Sequence, residues 1–163
     1  MSLFLIFSSF NRTIARACLW FSGIGLVLMT VVIGWQVFAR YILNDTPHWS
    51  ERFCLLLMIY FILFAAAAGV RDGTHIGLVV VKQRLPDIPR KIVQVTSCFI
   101  VLAFGVGMVW YGTDMVRSTW THVIPTLGVP TGVSYLPFPL AGGLFILFSL
   151  EHILSIVFGW KER

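Results

Sequence analysis

The sequence predicts an all-α membrane protein, with four transmembrane helices and a short interfacial segment between the second and third. Three observations carry that prediction. Of the 163 residues, 58% are hydrophobic and 12% are charged, about half the charged share of a soluble domain, so lipid must be the main solvent. The apolar residues gather into four runs, each long enough for a helix to cross a hydrocarbon core of about 30 Å. The basic residues fall in the gaps between those runs rather than in one stripe, which argues against a nucleic-acid partner despite the net charge of +5. The whole chain, residues 1–163, reads as a single integral membrane domain.

The spans are expected at about 14–38, 53–70, 92–116 and 135–158. Only helices satisfy every backbone group within such segments. The N-terminal stretch lacks the basic start and cleavage site of a signal peptide. Its apolar Leu3–Phe10 is followed by Asn11, Arg12 and Arg16. It is therefore expected to be a short interfacial segment, retained in the mature protein, that leads into the first span. Cys18, Cys54 and Cys98 lie in or beside apolar runs without CxxC spacing and read as small apolar packers.

Orientation follows from the Lys and Arg distribution. Nine lie in the N-terminal segment, the second connection and the tail, against three (Arg40, Arg52 and Arg117) in the first and third connections. The positive-inside rule then places both termini and the second connection in the cytoplasm. Trp35, Trp49, Trp110, Trp120 and Trp160 fall near the expected span ends, as interface anchors do. Small residues at Ala65–Gly69, Gly105, Gly107 and Ala141–Gly143 allow close helix approach.

The connections carry most of the polar detail. Trp49-Ser50-Glu51-Arg52 reads as a helix start, with Ser50 as the cap and Glu51 complementing the positive end of the helix dipole. In the second connection, Gly73 breaks the helix after Arg71 and Asp72. His75–Leu85 is too short to span, so it is expected to lie in the interface, ended by Pro86 and Pro89. The third connection is rich in Pro and Gly and nearly uncharged, and Pro137 and Pro139 suit the first turn of the last helix.

Few residues suggest chemistry. Asp114 and Arg117 have the spacing to pair on one helix face. Glu151 and His152 sit inside the fourth span, where an ionisable residue is a functional candidate. Glu151 could instead snorkel or bond across helices. A self-sufficient transporter would show repeats or broken helices around a midplane site, and the span centres here are almost purely apolar. A haem needs histidines at matching depth on facing helices, whereas His48 and His122 fall in outer connections and His75 and His152 towards the cytoplasm. No catalytic, cofactor or metal site is legible, so the chain is expected not to be an enzyme.

Three local signatures give the chain a family likeness. They are Arg40-Tyr41-Ile42-Leu43-Asn44 followed by Trp49-Ser50-Glu51; Arg71-Asp72-Gly73-Thr74-His75-Ile76 with Leu85-Pro86 beyond; and Leu127-Gly128-Val129-Pro130 with Tyr135 and Pro139. In this order and spacing the sequence resembles the small, DctQ-type membrane subunit of tripartite ATP-independent periplasmic (TRAP) transporters. It departs from that pattern at Arg52 and Val79, where acidic residues are common.

The resemblance implies a non-catalytic scaffold for a large membrane subunit that carries the substrate and sodium sites and moves by an elevator-type mechanism. A periplasmic binding protein would deliver the substrate, usually an organic acid. On that reading Arg40, Trp49 and Glu51 form a periplasmic-side docking cluster, and Arg71, Asp72 and His75 a cytoplasmic-side cluster. Arg84, Arg90 and Lys91 are expected to meet anionic lipid head groups. No cofactor is expected in this chain, sodium coupling belonging to the large subunit, and the expected location is the bacterial inner membrane.

Overall fold

A computed structural model describes residues 2–45, 47–72 and 87–158. Four long helices account for most of them: α1 (Ser2–Ile42), α2 (His48–Arg71), α3 (Asp87–Thr119) and α4 (Pro137–Phe158). All four are long and apolar enough to cross a membrane. The expected interfacial segment His75–Leu85 lies outside the described residues, as do Gly73, Thr74, Arg84, Pro86, Trp160 and the tail.

The first helix differs from expectation. Leu3–Phe10 is not a separate segment, because α1 runs unbroken for 41 residues, or roughly 60 Å. No Pro or Gly interrupts its first turns, and the polar Asn11 is buried against a partner on α4 rather than breaking the helix. At the other end Asn44 adopts φ 52°, a left-handed conformation that Asn tolerates better than most residues. The chain turns back there, and the Asp45 N–H reaches the Ala39 carbonyl at 3.3 Å.

Helix α2 starts at His48, so Ser50 is not its cap. Pro47, at φ −66° and ψ 109°, holds that position, and a ring-fixed φ with no N–H suits a helix start. Ser50 lies one turn inside, fully buried, and its Oγ donates to the Pro47 carbonyl at 2.7 Å. Pro89 falls in the first turn of α3 and Pro137 and Pro139 in the first turn of α4, where the missing N–H leaves no ladder bond unmade.

The helices pack as a row, α1 on α2, α2 on α4 and α4 on α3, with α1 barely touching α4. Two seams explain this order. On α1, Asn11, Ala15, Cys18, Ser22, Gly25 and Ala39 are buried, with Met29, Val32 and Gln36 half-buried between them. That alternation of three- and four-residue steps is the 3.5-residue repeat that keeps one face of a helix against its neighbour. The Phe61 ring lies over Gly25, and Ala67 and Ala68 on α2 are fully buried.

Between α3 and α4 the backbones meet at glycines. A Cβ on Gly142 would come within 2.8 Å of the Gly105 carbonyl, the close approach that small residues permit in membranes. Gly107 and Gly143, expected to serve the same packing, instead face open space. The buried core joins α1, α2, α3 and α4 through residues including Ala15, Ala68, Met108, Phe145 and Phe148.

The third connection is more ordered than a plain loop. Val123–Ile124 (β1) pairs antiparallel with Val129–Pro130 (β2), and Gly128 at φ 66° makes the turn between them. A 3-10 helix, Thr131–Tyr135, leads into α4. Its Gly132 packs so closely that a Cβ would meet the Trp120 ring at 2.8 Å and the Val116 carbonyl at 2.9 Å.

Candidate functional site

The densest polar arrangement among the described residues joins α1, α2 and α4 at one end of the row. Glu151 is 1% exposed. Its Oε2 accepts a hydrogen bond of 2.8 Å from Asn11 Nδ2, and its Oε1 lies 3.4 Å from Arg71 Nη2. The same Arg71 Nη2 donates to the Ser8 carbonyl at 3.4 Å.

The chain brings these groups together by simple means. Arg71 is the last residue of α2, where a cation complements the negative helix end. Asn11 opens the small-residue seam of α1, and Glu151 faces the core side of α4. A lone carboxylate inside apolar surroundings is strongly disfavoured, whereas one paired and hydrogen-bonded is tolerated. The three side chains therefore form a knot that fixes three helices at one level. Its closure also bears on chemistry, because a carboxylate this buried does not line an open path.

Two further bonds tie helices together. Ser22 Oγ donates to the Phe61 carbonyl at 3.0 Å, across the α1–α2 seam. Tyr60 donates its hydroxyl to the Val133 carbonyl at 2.8 Å, holding the 3-10 segment on α2. Asn11, Ser22 and Tyr60 did not stand out in the sequence as site residues. The available signal was the regular spacing of Asn11, Ala15, Cys18 and Ser22.

The expected site residues are distributed as follows. Arg40 is exposed in the last turn of α1, and Trp49 and Glu51 are exposed in the first turn of α2. They share one end of the α1–α2 hairpin, but no ion pair joins Arg40 to Glu51. Trp49 instead sets its ring edge-on to Phe53, at 6.0 Å.

Arg71 turns inwards to Glu151, while Asp72 is exposed and caps α2 with its backbone N–H bonded to Ala68 and Val70. His75 and Arg84 lie outside the described residues, and so do the side chains of Arg90 and Lys91. Asp114 and Arg117 do not pair. Both are exposed and line one shallow hollow with Trp110 and Thr113. Among the described residues no group of three or more His, Cys, Asp or Glu side chains could hold a metal.

Four helices long and apolar enough to cross a membrane accord with the likeness noted in the sequence. A sequence model of the DctQ component of tripartite ATP-independent periplasmic transporters matches residues 29–159. The chain belongs to that family. It is 26% identical over 134 residues to the sialic acid TRAP transporter small permease protein SiaQ of Vibrio cholerae, covering 81% of this chain and 76% of that one.

It is also 28% identical over 122 residues to the C4-dicarboxylate TRAP transporter small permease protein DctQ of Rhodobacter capsulatus. That match covers 70% of this chain and 49% of the Rhodobacter protein. As a DctQ-family component with four apolar helices, the chain is a multi-pass protein of the bacterial inner membrane and part of a TRAP transporter.

Proposed function

We propose that this DctQ-family chain is a non-catalytic scaffold. It holds a large membrane subunit in the bilayer and helps dock a periplasmic substrate-binding protein for sodium-coupled uptake of an organic acid. The observation that carries this reading is the state of Glu151. This carboxylate, the most buried charged side chain among the described residues, is 1% exposed and occupied by Asn11 and Arg71. A residue committed to holding helices together has a structural task. A transport carboxylate, in contrast, must exchange with substrate or solvent.

The relatives support the substrate class, since one carries sialic acid in its name and the other C4-dicarboxylate. Both are acids. The excess of Lys and Arg in the N-terminal segment, second connection and tail supports cytoplasmic termini. With that orientation, Arg40, Trp49 and Glu51 lie on the periplasmic side. Their exposure suits a docking role, as does that of Trp120 and Val123 near the β-ribbon. Arg84, Arg90 and Lys91 are assigned to lipid head groups on the cytoplasmic side.

Co-purification tests the assembly part of this reading. The tagged chain is expressed with the large membrane protein encoded beside it. A stable one-to-one complex is expected, and recovery of this chain alone under every detergent condition would overturn the scaffold assignment.

A further inference from the structure

The knot of Asn11, Glu151 and Arg71 leaves two buried polar atoms over. Asn11 is 0% exposed, yet its Oδ1 acceptor meets no donor among the described residues, and the buried Nε donor of Arg71 meets no acceptor. Turning the amide over does not help. It would set Oδ1 against Glu151 Oε2, acceptor facing acceptor, and forfeit the 2.8 Å bond that Nδ2 makes there. The orphaned oxygen is thus a consequence of the bond that Asn11 does make.

Arg71 is seated loosely. A guanidinium ordinarily approaches a carboxylate to about 2.7–2.9 Å, often through two parallel N–H donors. Here only Nη2 reaches Glu151 Oε1, at 3.4 Å, and it also turns to the Ser8 carbonyl at 3.4 Å. Nε belongs to the same rigid plane, so its N–H stays at the knot. Glu151 Oε1, holding one long contact, keeps lone-pair capacity for a further donor.

We propose that one internal water molecule completes this knot, donating to Asn11 Oδ1 and Glu151 Oε1 and accepting from Arg71 Nε. Buried polar atoms without partners are unfavourable and rare, and a bridging water satisfies them nearly as well as a direct bond. Three partners is the usual number for a buried water, and two acceptors with one donor match its two hydrogens and its oxygen. Charge favours a small neutral ligand over an ion, because Arg71 already balances Glu151. Access agrees. Arg71 is the last residue of α2, its side chain is 13% exposed, and Asp72 beyond it is exposed. Deeper along the α1 seam come Ala15 and Cys18, buried and apolar, so the hydration stops at Asn11. Ser149 Oγ is also buried without a partner, but it lies seven residues beyond Gly142, on the α3 side of α4. There it can turn to a carbonyl of its own helix. The proposal concerns the knot alone and is independent of the scaffold reading.

The test is water-edited solid-state NMR of the isotope-labelled full chain in lipid bilayers, in which magnetisation passes from water to nearby protein atoms. Asn11 is the readout, because a fully buried side chain has no contact with bulk water. Ser22 is the control, being buried and polar but already bonded to the Phe61 carbonyl, and exposed Asp72 is the reference for bulk water. Asn11 and Arg71 Nε are expected to gain water magnetisation several-fold faster than Ser22. In the same sample, the distance from Arg71 Nε to Asn11 Cγ should exceed the roughly 4 Å that a direct Nε–Oδ1 bond would impose.

Transfer to Asn11 as slow as to Ser22 would overturn the proposal. So would the shorter distance, which would show Arg71 bonding Asn11 directly with no water between them. Fast transfer continuing to Ala15, Cys18 and Ser22 would overturn it as well, since it would replace one enclosed water by a hydrated path along the seam.

Discussion

Asn11 and Glu151 stand 140 positions apart in the chain, and they meet at 2.8 Å between the first and last helices. With Arg71 on the other carboxylate oxygen, this contact ties together two helices, α1 and α4, that otherwise scarcely touch. Removing one partner of such a buried pair costs several times what a surface pair contributes. Glu151→Ala or Arg71→Ala should therefore destabilise the chain by about 3 kcal/mol. Glu151→Gln, which keeps a group for Asn11 to bond, should cost less than Glu151→Ala. Thermal unfolding in detergent checks the order, and equal midpoints for wild type and Glu151→Ala would remove the knot from the account.

The α3–α4 contact makes a sharper positional prediction. Gly142 and Gly143 are neighbours, yet only Gly142 faces a backbone. Gly142→Leu should force α3 and α4 apart at a cost of about 1–3 kcal/mol. Gly143→Leu should leave the unfolding midpoint nearly unchanged.

How much of this was legible in the sequence depends on the residue. Helix number was plain, because backbone satisfaction in lipid demands long apolar runs. Pro137 and Pro139 marked the start of α4 for a local steric reason. The order of the helices was not legible. In lipid both faces of a helix are apolar, so the hydrophobic pattern that orients a soluble helix is absent. Glu151 stood out as ionisable, but its partners lie on two other helices and no local spacing links them. The signatures found in the sequence gain physical content in the structure: Asn44 supplies the left-handed turn after α1, and Gly128 the turn of the β-ribbon.

Asn44 gives a prediction from that geometry. At φ 52°, Asn44→Gly should be neutral or slightly stabilising, whereas Asn44→Val should cost about 1–2 kcal/mol. Unfolding midpoints of the two variants distinguish a conformational role from a side-chain contact, which would make both substitutions costly.

Tyr60→Phe removes the hydroxyl that holds Val133 while keeping the ring. The expected loss is about 1 kcal/mol, felt mainly in residues 123–135. Hydrogen exchange should rise there and stay unchanged in the middle of α1.

For the exposed residues, Glu51→Ala is expected to reduce complex formation or uptake more than Asp114→Ala does, since Glu51 lies in the proposed docking cluster. Equal and negligible effects in a transport assay would count against that assignment.

On the proposed scaffold reading, this chain acts through assembly and carries no solute path of its own. The most direct measurement is solute flux into proteoliposomes under a sodium gradient, with this chain, the large membrane subunit and the periplasmic binding protein added singly and together. Uptake is expected only when all three are present, and none with this chain alone. Flux through this chain by itself, abolished by Glu151→Gln, would contradict it and make the buried carboxylate a transport residue.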